Sequence, residues 1–166
     1  MNVYLRKMTL EDIPFVVQLD QISFSLPWPE RSFRFELTDN PASRCWVAEV
    51  DGRVVGMIVG WLLVDEMHIA TIATHPDYRR QGIGSKLLLS VLLKSMDEGA
   101  QSSFLEVRES NVAAQKMYLK FGYEKIGRRK RYYRDNDEDA ILMYLKSLNR
   151  DRLPRDDSPA MDREQV

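Results

Sequence analysis

The sequence predicts one mixed α/β domain, in which a central sheet is covered by helices. Runs rich in β-branched residues alternate with runs of helical periodicity, which predicts the element order βαα-βββ-α-β-α-ββ. Asp51-Gly52 lies between two apolar runs and is typical of a two-residue hairpin turn. A chain of 166 residues also suits a single domain with a sizeable core.

The first half of the chain is predicted to form four strands and two helices. Thr9 is a suitable N-cap for the first helix, with Asp12 three residues later. Pro27 and Pro29 end that helix, because two prolines within three residues cannot continue a helix. Gly56 or Gly60 is expected to mark a bulge in a long strand. The predicted elements are a strand at 3–7, helices at 9–24 and 30–38, and strands at 44–50, 54–64 and 66–74.

The second half is predicted to form two helices and three strands. Gly99 and Gly122 are expected to end the helices, and Asn111 to cap the start of the second one. The predicted elements are helices at 82–98 and 111–121, and strands at 103–107, 123–133 and 140–148. Beyond Leu148 the sequence is charged and has no hydrophobic period. We therefore predict a domain at residues 1–148 and a disordered charged tail at residues 149–166.

The composition excludes several classes of protein. A net charge of −1 argues against bulk nucleic-acid affinity and against an extended polybasic membrane surface. The longest apolar run, at 54–64, contains two glycines and is too short to span a membrane. Residues 1–7 have no apolar signal core, so we expect no export.

The cysteine and the histidines carry little chemistry of their own. Cys45 is the only cysteine, so it cannot form an internal disulfide, which suits a cytoplasmic location. It lies in a predicted strand and is expected to be a packed thiol. His68 and His75 have no cysteine or carboxylate partners at ligand spacing, so no metal site is predicted.

A candidate anion site lies between residues 69 and 86. An apolar strand run is followed by a turn, a glycine-containing loop and an amphipathic helix. This order brings unpaired N–H groups and the positive end of a helix dipole to one point. Gly82 and Gly84 allow close approach of a diphosphate to the backbone, and Arg79 and Arg80 add positive charge. The loop matches neither the dinucleotide fingerprint nor the P-loop. The alternative is that the glycines only ease a tight turn into a helix.

The segment Arg79-Arg80-Gln81-Gly82-Ile83-Gly84 resembles the [QR]-x-x-G-x-[GA] pyrophosphate loop of the GCN5-related N-acetyltransferases, the GNAT superfamily. The resemblance implies a GNAT fold with a mixed, strongly twisted sheet of about seven strands and about four helices. It also implies acetyl-CoA as co-substrate. The coenzyme-binding residues expected from it are Ile72, Ala73, Thr74, Arg79, Arg80, Gln81, Gly82, Ile83, Gly84, Ser85 and Asn111.

Glu106 and Tyr118 are the candidate catalytic residues. From the residues alone, Glu106 is either an edge carboxylate in solvent or a functional group, and Tyr118 shares helical spacing with core positions. The run Leu-Glu-Val-Arg-Glu-Ser-Asn at 105–111, followed by Tyr118, is similar to a signature of the RimI-type branch, the ribosomal-protein alanine N-acetyltransferases. That resemblance implies Glu106 as general base and Tyr118 as general acid.

Two aromatic segments resemble the loops that flank the peptide groove of N-terminal acetyltransferases. They contribute Trp28, Tyr132 and Tyr133 as substrate-binding candidates. The alternative is that Trp28 and Tyr132 are surface-anchoring aromatics. The basic run 128–131 with Arg134 is interpreted as a solvated strand face near the coenzyme, in preference to an RNA site.

The predicted function is acetyl transfer from acetyl-CoA to the α-amine of an N-terminal residue, with alanine of a ribosomal protein as the narrow hypothesis. The alternatives are other protein N-termini, a small-molecule amine, or a non-catalytic acyl-CoA sensor. The expected partner is a protein N-terminus, without direct nucleic-acid or membrane binding, and the sequence leaves the oligomeric state open.

Overall fold

A mixed sheet forms the centre of the computed structural model, which describes residues 1–155 and the backbone of 161–162. Its long strands are β1 (Val3–Lys7), β2 (Ser43–Val50), β3 (Arg53–Leu63), β4 (Glu66–Thr74), β5 (Ser102–Arg108), β6 (Glu124–Tyr133) and β7 (Glu138–Leu145), and β8 (Met161–Asp162) adds two residues. The strand order is β6-β7-β5-β4-β3-β2-β1-β8. Among the strand pairs that the structure describes, only β4–β5 and β1–β8 are parallel.

Four helices lie in the described residues, as the sequence predicts. They are α1 (Ile13–Ser23), α2 (Glu30–Thr38), α3 (Ile83–Asp97) and α4 (Val112–Phe121), and a short 3₁₀ helix at Leu10–Asp12 precedes α1. The element order is the predicted one, and most boundaries agree within a few residues. None of these helices is both long and apolar enough to cross a membrane.

The local signals act as the sequence predicts. Thr9 and Asp12 form a capping box at the first helical segment. Asp51 and Gly52 both have positive φ, at 51° and 74°, as a tight turn between twisted antiparallel strands requires. The β3–β4 register shifts beside Gly60, which confirms the expected bulge, and the extra residue is on β4.

The core has one apolar layer on each face of the sheet. On one face, α3 and α4 pack against a cluster that includes Leu87, Leu92 and Leu105. On the other face, α1 and α2 pack through Val16 and Phe33, both fully buried. Removing a side chain of this kind leaves a cavity and typically costs about 2–5 kcal/mol.

Cys45 belongs to the second layer and is 8% exposed, which confirms the packed thiol. Burial raises its thiol pKa to about 11, although the Ser43 hydroxyl opposes the shift, so the thiol is protonated at neutral pH.

The packed domain continues past the boundary predicted at Leu148. Leu153 is 6% exposed and joins the first core layer. Arg150 forms an ion pair with Asp97 of α3, and the Leu148 amide donates to Gln101. Residues 149–155 are therefore placed against the domain, because they supply an apolar side chain that the charged sequence around it conceals. The rest of the predicted tail, apart from the β8 backbone, lies outside the described residues.

Candidate active site

A gap in the sheet between β4 and β5 defines the candidate site. Residues Glu66–Ile69 of β4 pair with residues Ser102–Leu105 of β5, and the pairing of the two strands stops there. Beyond that point β4 remains paired with β3, and β5 remains paired with β7, up to their ends at Thr74 and Arg108. A cavity of about 980 Å³ opens where the two strands separate.

The gap exposes backbone groups of β4. The His75 amide donates to the Val55 carbonyl directly opposite it in the β3–β4 register. Since hydrogen-bonded pairs alternate along an antiparallel ladder, Ala73 bonds to β3 and the peptide groups of Ile72 and Thr74 face the gap. Thr74 O accepts from Arg79 Nε at 3.0 Å. The Ile72 N–H has no strand opposite it and is a ready donor to a substrate oxygen.

The loop before α3 presents a second set of unpaired amides. Gly82 adopts the left-handed conformation with φ 78°, and α3 begins at the next residue. The first amides of a helix have no acceptor within it. Among the described residues, no other group accepts from the amides of Ile83, Gly84 or Ser85. A Cβ at Gly82 would meet no atom within 4 Å, so the space above this backbone is open.

Most of the predicted coenzyme residues line the cavity. Arg79, Arg80, Gly82, Ile83, Gly84 and Ser85 do so together with Ile72, Ala73, Thr74 and Asn111. Gln81 does not line it, because its side chain points to solvent in the tight turn between Arg80 and Gly82, which both have positive φ. Asn111 caps α4, with its side-chain oxygen accepting from the Ala114 amide at 3.2 Å.

Glu106 lies at the wall of the cavity formed by β5. Its side chain is 22% exposed, and Oε1 lies 3.0 Å from Arg129 Nε. The nearby negative charge of Glu106 raises the pKa of the Tyr132 hydroxyl. Glu106 is therefore neither in bulk solvent nor in the core, and its ion-pair partner comes from β6.

Tyr118 combines a core position with access to the cavity. It is 4% exposed, lies in the first core layer, and packs edge to face on Tyr123 at 5.7 Å between ring centroids. Its hydroxyl has no hydrogen-bond partner among the described residues, and no side-chain oxygen there is both fully buried and unpaired. The hydroxyl oxygen must therefore reach the cavity, which Tyr118 lines. Burial raises its pKa above the ordinary phenol value, so it holds its proton at neutral pH.

The two predicted substrate segments meet across the cavity. The Ser25 hydroxyl hydrogen-bonds to the Asp135 carboxylate, which joins the α1–α2 loop to the β6–β7 turn. Trp28 lines the cavity, and its amide donates to Asp20 Oδ2 at 2.5 Å. Tyr133 also lines it and stacks on the Arg108 guanidinium, 3.9 Å from the ring centroid. Burial raises the Tyr133 pKa to about 12.

Tyr132 differs from Tyr133 in its placement. It is 49% exposed and does not line the cavity, although the charge of Glu106 acts on its hydroxyl. The β6–β7 register shifts between Arg129 and Tyr133, so β6 carries two more residues than β7 at this point. This bulge turns the two neighbouring tyrosines to different environments.

Comparison with known proteins identifies the family. The sequence pattern of the acetyltransferase (GNAT) family matches residues 13–123, more than half of the chain. The chain belongs to the GNAT family. A Bacillus subtilis protein, provisionally named a ribosomal protein bS18-alanine N-acetyltransferase, is 41% identical over 141 residues, which cover 85% of this chain and 93% of that protein. The ribosomal protein bS18-alanine N-acetyltransferase of Escherichia coli K12 is 32% identical over 145 residues, with coverages of 81% and 90%.

A solved structure agrees with this assignment. The crystal structure of the ribosomal-protein-S18-alanine N-acetyltransferase from Escherichia coli superposes on this GNAT protein with a TM-score of 0.80 at 28% identity. The match covers 92% of this chain and 99% of that chain. The predicted fold class and the predicted enzyme class, an N-acetyltransferase, are confirmed.

The GNAT site also contains one residue, Asp20, that the sequence reasoning missed. Asp20 is 1% exposed and lines the cavity, and burial raises the pKa of its carboxyl against the opposing hydrogen bond from Trp28. In the sequence, the position of Asp20 on the apolar side of a predicted helix could have indicated this role. The basic run lies in β6, which is exposed along nearly its whole length, as a solvated strand face requires, and Arg128 pairs there with Glu109 and Asp139. In the part of the chain that the structure describes, no three acidic, histidine or cysteine side chains converge as a metal site.

Proposed function

We propose that this GNAT protein transfers the acetyl group of acetyl-CoA to the α-amine of a protein N-terminus, with an N-terminal alanine of a ribosomal protein as its substrate. One observation carries the proposal. A single cavity is lined by the unpaired amides that begin α3, the β4 backbone at Ile72, the carboxylate of Glu106 and the hydroxyl-bearing Tyr118. The names of the Bacillus subtilis and Escherichia coli relatives support the choice of substrate.

The residues before and within the first turn of α3 fit the diphosphate of the coenzyme. The amides of Ile83, Gly84 and Ser85 have no acceptor among the described residues, and the space above Gly82 is open. Arg80 brings a second positive side chain to the cavity, while Arg79 is already bound to the end of β4. Helix N-termini of this kind bind phosphates through N–H groups and the helix dipole. Acetyl-CoA bound here supplies an activated acyl group on a thioester.

The acid–base requirements suit the two side chains. An α-amino group titrates near 7.7–8.0, so roughly a tenth of it is neutral at pH 7. As the amine nitrogen bonds to the acetyl carbon, Glu106 accepts a proton from that nitrogen, directly or through water. The Ile72 N–H donates to the carbonyl oxygen, where negative charge develops. The carbon–sulfur bond then breaks, and Tyr118 gives its proton to the departing sulfur.

Trp28 and Tyr133 flank the end of the cavity that the peptide would enter. Both line it, and the Ser25–Asp135 contact closes the wall between their two segments. We infer that these two side chains contact the first peptide residues, and that Tyr132 acts through its proximity to Glu106. A cytoplasmic location is part of the proposal, since the one cysteine is a buried free thiol.

The experiment that tests this function is acetylation of a peptide library varied at its first two positions, read by mass spectrometry with acetyl-CoA as donor. Products that begin with alanine support the narrow assignment. Products modified on lysine side chains or on small amines only would overturn it. Retention of acetyl-CoA without any turnover would instead support an acyl-CoA sensor.

The role of Glu106 is tested by Glu106→Gln. We expect kcat/KM to fall by roughly 10²–10⁴ with little change in coenzyme affinity, because the variant keeps the shape and loses the proton acceptor. Glu109→Gln is the matched control, since Glu109 pairs with Arg128 and does not line the cavity. Equal turnover by both variants would remove Glu106 from the mechanism.

A further inference from the structure

We propose that Arg129 is a positioning residue for Glu106. In the free enzyme its guanidinium occupies the place beside the Glu106 carboxylate where a cation binds, and the α-ammonium of the peptide displaces this guanidinium. This inference rests on the proposed role of Glu106 as the base. It assigns a function to one arginine of the basic run and explains how the carboxylate is kept in place between turnovers.

The contact itself is specific. Arg129 Nε lies 3.0 Å from Glu106 Oε1, and the guanidinium carbon lies 5.7 Å from the Tyr132 ring centroid. The charge of Glu106 also raises the pKa of Tyr132. β6 is not next to β5, so the Arg129 side chain reaches over the intervening strand β7, where Leu142 is the residue opposite Glu106. The contact joins two sheet positions that are not direct neighbours.

The bulge in β6 lets Arg129 move without opening the hairpin. The backbone there is anchored separately, because the Arg131 amide donates to Asp139 Oδ1 at 3.0 Å and the Arg128 side chain pairs with Asp139 at 2.7 Å. Arg129 is 55% exposed and its side chain is held by Glu106 and the Tyr132 ring alone among the described residues. An exposed pair of this type contributes only about 0.2–1 kcal/mol, so its exchange costs little.

The charges explain why the exchange must occur. An arginine is permanently positive, and Arg129 occupies the carboxylate oxygen of Glu106 that it contacts. The peptide α-ammonium needs the same carboxylate in order to lose its proton. One carboxylate edge cannot bind both cations in the same place, so the incoming ammonium takes the position of the guanidinium.

Few other titratable groups face this carboxylate. β7 places Leu142 beside it, and the cavity-facing part of β4, residues 69–74, has no ionisable side chain. The ionisable groups around it are Arg129, Tyr132 and Tyr133 from β6, Arg108 on its own strand, and Tyr118 from α4 across the cavity. Arg129 is therefore the neighbour whose removal changes the charge at Glu106 without changing the cavity wall.

The test compares Arg129→Gln with Arg128→Gln. The two variants lose the same charge at adjacent positions, but Arg128 pairs with Glu109 and Asp139 and not with Glu106. For Arg129→Gln we expect kcat at saturating peptide to stay close to the wild-type value, because Glu106 and the cavity wall are unchanged. We also expect KM for the peptide to fall about two- to five-fold below pH 7. Arg128→Gln should change neither, and Arg129→Lys should restore most of the wild-type KM.

The outcomes separate this inference from the proposed function. If Glu106→Gln is inactive while the two arginine variants behave alike, the displacement is wrong and the base assignment stands. If Arg129→Gln raises KM for the peptide, Arg129 binds substrate directly, which also overturns the displacement. If Glu106→Gln retains wild-type turnover, the base assignment itself fails.

Discussion

Gly82 offers the sharpest test of the coenzyme site, because its substitution separates backbone strain from loss of binding. It has φ 78°, a conformation that costs an L-residue roughly 1–2 kcal/mol. A Cβ at this position would meet no atom within 4 Å, so the free protein has no steric reason to unfold. Gly82→Val should therefore lower the melting temperature by only about 2–8 °C.

The same substitution should be severe for the coenzyme. The valine branches would stand where a diphosphate must approach the amides of Ile83, Gly84 and Ser85. A hydrogen bond to a charged group contributes about 1.5–3 kcal/mol. Loss of two such bonds amounts to about 3–6 kcal/mol, which corresponds to a roughly 10²–10⁴-fold increase in Kd for CoA. Isothermal titration calorimetry and thermal stabilisation by CoA both measure this change.

Gly52→Val is the matched control for this experiment. Gly52 has φ 74° and also has no atom within 4 Å of an added Cβ, but it lies in the β2–β3 turn outside the cavity. The control should therefore show the same loss of stability with unchanged CoA binding. If Gly82→Val binds CoA as tightly as Gly52→Val, the diphosphate does not lie against this loop, and the reasoning from its unpaired amides is refuted.

Two further predictions concern stability. Hydrogen bonds led by Ser110 lower the Glu138 pKa from 4.5 to about 2, so its contribution is present above pH 4.5 and is lost as the pH falls through about 2. Urea unfolding should show Glu138→Gln to be less stable by about 1–3 kcal/mol at pH 7 and no less stable than wild type near pH 2. Leu153→Ala should lower the unfolding free energy by about 2–4 kcal/mol, because the side chain is buried in the first core layer. Its exposed neighbour offers the control Arg152→Ala, and equal stability of the two variants would mean that this segment does not pack.

The elements were predictable where local chemistry determines them. Thr9 with Asp12, the Asp51-Gly52 turn and Gly122 each satisfy a short-range requirement, and each acts as expected in the structure. The glycine loop was predictable for the same reason, since a strand, a loop and a helix in succession place the unpaired amides. Leu153 was missed because a single apolar residue in a charged segment carries no period.

The remaining features depend on contacts between distant parts of the chain. The gap depends on where β4 and β5 stop pairing, and no residue at Ile69 or Leu105 signals that point. The Arg129–Glu106 pair depends on strand order and on a bulge two residues wide. A basic run shows that arginines are present, but only the sheet register separates Arg128, which faces Glu109, from Arg129, which faces the proposed base.

The arrangement also bears on which amines the site can use. A lysine side chain has a pKa near 10.4, so less than a thousandth of it is neutral at pH 7, whereas roughly a tenth of an α-amine is neutral. A single carboxylate base therefore already favours N-termini by a factor of several hundred. Discrimination against lysine therefore needs no dedicated group in the cavity. Selection of alanine over other first residues has no such chemical basis, since all α-amines titrate in nearly the same range. Under the proposed function it comes from the walls that carry Trp28 and Tyr133, and substitutions there should change the range of peptides accepted while the preference for α-amines persists.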